Sequence, residues 1–197
     1  MTGGDLSGGP GPRGSFATAA PLDVADIDKQ LRRLRKRPLF DSLPPVDHGV
    51  EAVKRIIPHR PPLLFVDRVV GLDLTSGSIE GRRHLDPSDP VFQGHFPNYP
   101  LYPGSFEVEM VGQLGLCLYH FVKTGGTTIA ADAKPVAMRA TRVLGAYYLE
   151  PVKPGDEVRL LARAVAFDGF LAQMIGQVLV GDKVACVTAG EVVILDD

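Results

Sequence analysis

Cysteine, surplus charge and long apolar runs are all scarce in this chain of 197 residues. Its 2 cysteines, Cys117 and Cys186, sit far apart in apolar stretches (GLCLYHF and KVACVTAG), with no CxxC pair and no Cys/His ligand spacing. A disulfide scaffold is excluded on that ground, and no metal site is expected. The 21 basic and 23 acidic residues leave a formal charge of -2. A field that weak does not hold nucleic acid or a membrane surface unless charge is concentrated locally. No apolar segment approaches the roughly 18 residues of a membrane span. The N-terminal MTGGDLSGGPGPRGSF also lacks the apolar core of a signal peptide. The chain therefore reads as a cytoplasmic protein with neither a membrane nor a nucleic-acid partner. There is no internal repeat.

An apolar fraction of 45% and a charged fraction of 22% describe a globular chain, and its length suits one core. Residues 1–21 hold eight Gly and Pro before residue 15 and few large apolar groups. Such a composition cannot offset the entropy of ordering, so a disordered tail is expected there. In residues 22–37, Val24, Ile27, Leu31 and Leu34 recur at helical spacing, with acids at the start and a basic cluster before Pro38. This predicts a short amphipathic helix. The paired prolines of DSLPPVDH read as a linker, so 22–48 form a helix-and-linker appendage and the compact domain spans 49–197.

A turn or two of helix fits VEAVKRII. LLFVDRVVGLD and SGSIEGRRHL follow as two strands. Residues 103–126, PGSFEVEMVGQLGLCLYHFVKTGG, have helix entrance and exit signals, with Ser105 as the N-cap and Gly125-Gly126 at the end. Apolar residues cover nearly the whole circumference of this helix, which makes it a buried one. Downstream, MRATRVLGAYYLEPV, EVRLLARAVAF, FLAQMIGQVLV and KVACVTAGEVVIL read as an antiparallel meander, with tight turns at Asp168-Gly169 and Gly181-Asp182. The fold class is α+β, with an antiparallel sheet of five to seven strands wrapped around one long helix.

His95 lies in QGHFPNYPLYPG, a loop stiffened by three prolines that leads into the buried helix. Glu107 and Glu109, two residues apart, point to different sides of that helix. Glu107 reads as a solvated first-turn acid, Glu109 as the deeper one. A desolvated carboxyl holds its proton near neutral pH and can deliver it; the alternative for Glu109 is a structural acid paired with a cation. Gln113, four residues on from Glu109, is within hydrogen-bonding reach of it. A base and an acid with no metal ligand and no activated nucleophile nearby suit an elimination, and the free N–H groups near Gly104 suit a substrate carbonyl. Spacing alone goes no further than this reaction class.

PHRPPLLFVDRV (58–69), FQGHFPNYPLYPGSFEVEMVGQ (92–113) and EPVKPGDEV, in this order, resemble the 3-hydroxyacyl-acyl carrier protein dehydratases of FabZ type, which have the hot-dog fold. The resemblance covers roughly residues 50–195. It implies that His95 removes the α-proton of a 3-hydroxyacyl thioester and that Glu109 protonates the departing hydroxyl. It also implies that Gly104 supplies the oxyanion donor, that Gln113 is the family's helix glutamine, and that Phe96 and Pro103 lie beside the substrate. No cofactor is implied. The partner implied is an acyl carrier protein bearing a phosphopantetheine-linked chain. His and Glu of one site come from different subunits in this family, which implies a dimer, homomeric or with a related dehydratase, or a trimer of dimers. Glu rather than Asp as the acid implies dehydration without isomerisation. His59 matches a family histidine that is not a primary catalytic group, whereas His48, His84 and His120 match nothing.

The chain departs from the family pattern at three places. Asn98 and Glu107 stand where Gly and an aliphatic residue are usual. GAYYLE, with Tyr147, Tyr148 and Glu150, stands where housekeeping enzymes carry cations that face the acidic carrier. The N-terminal helix is a compensating candidate, since Arg32, Arg33, Arg35, Lys36 and Arg37 give residues 1–40 a surplus of three positive charges and leave -5 on the rest. These departures point to a specialised polyketide or polyene pathway more than to housekeeping fatty acid synthesis. Two other functions remain open at this stage: a half-catalytic partner in a heteromeric dehydratase, and a hot-dog thioesterase.

Overall fold

A helix that is apolar all round needs walls on every side, and the sheet supplies most of them. In the computed structural model, which describes residues 21–195, α4 (Gly104–Thr124) runs for 21 residues. It buries Met110, Val111, Leu114, Cys117, Leu118 and Phe121. Pro103 is the N-cap residue, two residues earlier than the expected Ser105, and Gly125 ends the helix at φ +67 with its N–H on the Phe121 carbonyl. Proline offers no side-chain acceptor, so the cap leaves the first amides of the helix unclaimed. Close packing against the sheet relies on small residues, since a Cβ at Gly115 would run into Met174 and one at Gly176 into Val111.

Seven strands form one antiparallel sheet: β1 (Pro45–Gly49), β2 (Arg68–Asp73), β3 (Ser78–His84), β4 (Met138–Tyr148), β5 (Glu157–Phe167), β6 (Leu171–Val180) and β7 (Lys183–Ile194). Their order is β1-β2-β3-β5-β6-β7-β4. The expected tight turns after β5 and β6 are present, with Gly169 at φ +96 and Gly181 at φ +57, left-handed values that favour glycine. Only β5, β6 and β7 form the meander. β4 instead lies at the edge, paired with β7 alone, because α4 and the segment after it carry the chain across the sheet before β4 begins. Two short helices, α2 (Val50–Ile56) and α3 (Val91–Gly94), complete the inner layer.

The segment expected to be a linker contains β1. Pro45 to Gly49 pair with β2, and Asp47 holds Arg68 through hydrogen bonds of 2.6 and 3.0 Å. Pro45 has no N–H to lose from an edge strand, so three strands rather than two precede α4. α1 (Val24–Leu34) forms as its periodicity predicts and is capped by Asp23, whose carboxylate accepts from the Asp26 amide at 2.8 Å. It packs on the outer face of the sheet, where Ile27 and Leu31 join Leu161, Ile175, Leu179 and Val187 in a second core. The glycine-rich tail lies, except for Pro21, outside the described residues. Among those residues no helix is long and apolar enough to cross a membrane.

Candidate active site

Residues 95–103 form a loop that hydrogen bonds tie at both ends. The Leu101 amide donates to the His95 carbonyl at 2.8 Å, and the Tyr102 amide to the Val152 carbonyl at 2.8 Å. Underneath, Tyr102 packs with Phe92 and Phe106 at ring separations of 5.8 Å each. His95 ends α3, and its Nδ1 lies 3.1 Å from the Leu101 carbonyl. A carbonyl only accepts, so Nδ1–H is the donor here, and Nε2 makes no hydrogen bond among the described residues. Phe96, half exposed, stacks on the imidazole at 4.1 Å.

His95 lines a cleft of about 560 Å³ together with Pro103, Gly104, Glu107, Tyr148 and Glu150. The Gly104 and Ser105 amides have no partner among the described residues, and they point from the positive end of a six-turn helix. Glycine is required at 104, because a Cβ there would lie 2.6 Å from the Tyr148 ring. A carbonyl or enolate oxygen in the cleft therefore has donors on one side and an imidazole on the other.

The two helix acids are reversed from the sequence expectation. Glu107 is the buried one, at 4% exposure, with Oε2 unpartnered, and burial pushes its carboxyl up to about 8. Glu109 is exposed, its side chain at 47%. Here the hydrogen bond with His59 outweighs desolvation and, with Gln113, holds the carboxyl below the usual glutamate range. Two residues are 200° on a helix, so only one of the pair can face the sheet; position 107 does, and it lines the cleft with Tyr148. Glu109 lies outside the cleft lining.

Gln113 is buried, and its side-chain amide makes three hydrogen bonds, one within α4 and two to the loop before β2. Nε2 donates to Glu109 at 2.9 Å and to the Leu63 carbonyl at 2.8 Å, while Oε1 accepts from the Phe65 amide at 2.8 Å. His59 Nε2 stands 3.4 Å from Glu109. Thus the structure brings His95, Pro103, Gly104 and Phe96 together in one place and Glu109, Gln113 and His59 in another. Spacing did not single out His59 as a neighbour of Glu109, since the two are 50 positions apart in sequence, nor Tyr148 as a wall of the cleft. No group of three or more His, Cys, Asp or Glu able to hold a metal ion occurs among the described residues.

An antiparallel sheet wrapped round one long helix, with a histidine loop feeding the helix entrance, defines a hot-dog protein with a polar site. A family model described as a FabA-like domain matches residues 57–189. Two relatives are each named 3-hydroxyacyl-acyl-carrier-protein dehydratase FabZ. The one from Koribacter versatilis is 34% identical over 137 residues, covering 70% of this chain and 83% of its own. The one from Sulfurovum is 33% identical over 148 residues, covering 75% and 97%. Among solved structures, the dehydratase heterocomplex ApeI:P from Xenorhabdus doucetiae superposes with a TM-score of 0.56 at 13% identity, over 74% of this chain and 91% of that one, and so shares its fold. The chain belongs to the FabA-like family of hot-dog dehydratases and is FabZ-like within it.

Proposed function

We propose that this protein is a cytoplasmic hydro-lyase that dehydrates a carrier-bound 3-hydroxyacyl thioester to the trans-2-enoyl thioester. The observation that carries this is that His95, held through Nδ1 by the Leu101 carbonyl, lines the same cleft as Gly104, whose amide is unclaimed. In the proposed reaction, Nε2 takes the C2 proton while the Gly104 N–H steadies the negative charge gathering on the thioester oxygen. The electron pair left at C2 forms the C2=C3 bond, and the C3 hydroxyl departs with a proton from Glu109 as water. The imidazolium then returns its proton to the carboxylate, so acid and base are both restored. Phe96 stacks on the imidazole, Pro103 sets the helix entrance, and Gln113 orients Glu109.

Glu109 lies outside the cleft of its own chain, so the reaction needs a second copy to bring an acid to each His95. Support comes from β4, an 11-residue strand whose outer edge pairs with nothing among the described residues and exposes Val143 at 64%. A partner that covers Glu109 in this assembly strips water from it, and that loss raises its pKa toward that of a usable acid. A dimer, or a trimer of dimers, is the proposed assembly. Residues 49–197 are the proposed catalytic unit, and Asn98, Glu107 and the GAYYLE segment favour a polyketide or polyene chain as substrate over a simple saturated one.

Glu107 is the alternative acid, because it lines the cleft with His95 and keeps its proton at neutral pH. The experiment is incubation of His95→Ala, Glu109→Gln and Glu107→Gln variants with carrier-bound 3-hydroxyacyl substrates of several lengths, read by intact mass for loss of water. His95→Ala and Glu109→Gln each lose at least about a hundredfold in rate, the scale of a missing acid or base, and Glu107→Gln retains turnover. Full activity of either of the first two overturns the mechanism, loss in Glu107→Gln alone moves the acid to 107, and release of free thiol replaces dehydration by thioester hydrolysis. Inactivity of the unmutated chain that a related dehydratase relieves assigns it to a heteromer.

A further inference from the structure

The cleft that should receive a carrier-bound thioester has no lysine or arginine in its lining, which carries the carboxyl groups of Glu107 and Glu150 beside His95. The one cation against Glu150, Lys183, is spent on it at 3.9 Å. An acidic carrier therefore meets the exposed Lys153, which follows the lining residue Val152, but no cluster of cations within the lining itself. A cluster of unpaired cations lies on α1 and just beyond it: Arg33, Arg35, Lys36 and Arg37 are exposed and have no carboxylate partner among the described residues, whereas Arg32 is neutralised by Asp28 at 2.8 Å.

These cations are displayed on a fixed platform. Ile27 and Leu31 are wholly buried beneath them, and the buried glutamines of β6 clip the backbone on both sides. Gln177 donates to the Leu34 and Arg37 carbonyls at 2.7 and 2.9 Å and accepts from the Leu39 amide at 2.6 Å. Gln173 accepts from the Leu22 amide at 2.8 Å. A further anchor ties this platform to the cleft wall. Tyr147 donates to Asp28 at 2.6 Å, and the Arg35 guanidinium lies 5.2 Å over its ring. The next residue, Tyr148, points to the opposite face of β4 and lines the cleft with His95. The basic helix α1 and its extension lie outside residues 57–189, the part matched by the family model, whereas Gln173, Gln177, Tyr147 and Tyr148 lie within it.

We propose that the exposed basic surface of α1 and its C-terminal extension, formed by Arg33, Arg35, Lys36 and Arg37, is the docking surface for the acidic carrier protein whose thioester enters the His95 cleft. It rests on the dehydratase reading above. Four unpaired cations on a rigid support attract an acidic helix at long range and set its register, while Tyr147 and Tyr148 place that contact one strand residue from the site.

The test uses the triple charge reversal Arg33→Glu, Lys36→Glu and Arg37→Glu, which touches neither buried α1 side chains nor the cleft. Turnover is measured on a carrier-bound 3-hydroxyacyl substrate and on the same acyl group as a small N-acetylcysteamine thioester. Binding of the phosphopantetheinylated carrier without an acyl chain is measured by calorimetric titration. The variant is expected to lose tenfold or more in carrier affinity and in kcat/KM with the carrier substrate, through KM, with turnover of the small thioester changed less than twofold. Rising salt is expected to weaken the unmutated protein and leave the variant flat. Unchanged carrier affinity, or an equal loss on both substrates, overturns the proposal. Carrier binding that the variant loses, in a protein that dehydrates neither substrate, leaves the docking surface standing and removes the dehydratase reading.

Discussion

Glu107 and Glu109 differ by two positions and have opposite fates, since one faces the sheet and the other faces away. Burial raises the Glu107 carboxyl to about 8, against an ordinary value of 4.5. Between those values the folded protein keeps a proton that the unfolded chain has lost. Stability therefore falls as pH rises from about 4.5 to 8 and levels off above, with a ceiling on the penalty of about 5 kcal/mol from the size of the shift. Replacing Glu107 by Leu, the kind of residue an apolar environment takes, removes the penalty. Urea unfolding of Glu107→Leu is expected to show a gain that is larger at pH 8 than at pH 5. A gain equal at both pH values would mean that the carboxyl is solvated and unshifted. Glu109 contributes in the opposite sense, because its hydrogen bond with His59 favours the charged form.

Among the elements, α1 shows most clearly how an appendage becomes part of a fold. Leu31 is 1% exposed and packs on the outer face of the sheet against residues of β5, β6 and β7. Leu31→Ala leaves a cavity there, and such truncations cost about 2–5 kcal/mol. The expected outcome is a loss in that range by chemical denaturation, with the secondary structure of the sheet retained; a loss below about 0.5 kcal/mol would mean that α1 rides free of the sheet. The helices were legible in sequence because their signals are local: the spacing of Val24, Ile27, Leu31 and Leu34 for α1, and the glycine at 125 for the end of α4. The four later strands were legible for the same reason, through Gly169 and Gly181. β1 was missed since its partners on β2 are 19 to 26 positions away and its two leading prolines imitate a linker. The order of Glu107 and Glu109 was misread because hydrophobicity covers the whole circumference of α4, so the pattern does not say which side meets the sheet. The placing of His95 beside Gly104 and the hydrogen bond of Gln113 to Glu109 follow the motif, whereas the His59 contact to Glu109 depends on tertiary pairing that no window of sequence contains.

At the scale of the whole molecule, the separation of His95 from Glu109 is the decisive feature, because a site divided between copies has a distinctive arithmetic. If each site takes its base from one copy and its acid from the other, His95→Ala and Glu109→Gln subunits are inactive alone but complementary when mixed. Random exchange at equal amounts makes half of the dimers mixed. One of the two sites in each mixed dimer is intact, so activity returns to about one quarter of the unmutated level. A single-chain site, with Glu107 as its acid, predicts a different pattern: mixing restores nothing, and Glu107→Gln is the dead variant. The free edge of β4 makes the link to assembly testable in the same preparation. Val143 projects from the middle of that edge, and a charge on an edge strand opposes strand pairing. Val143→Asp is expected to elute as a monomer in size-exclusion chromatography with light scattering, to retain its far-ultraviolet circular dichroism, and to lose dehydration. A monomeric Val143→Asp that still turns over substrate would place both proton-transfer groups in one chain and would end the divided-site mechanism, whatever the mixing experiment shows.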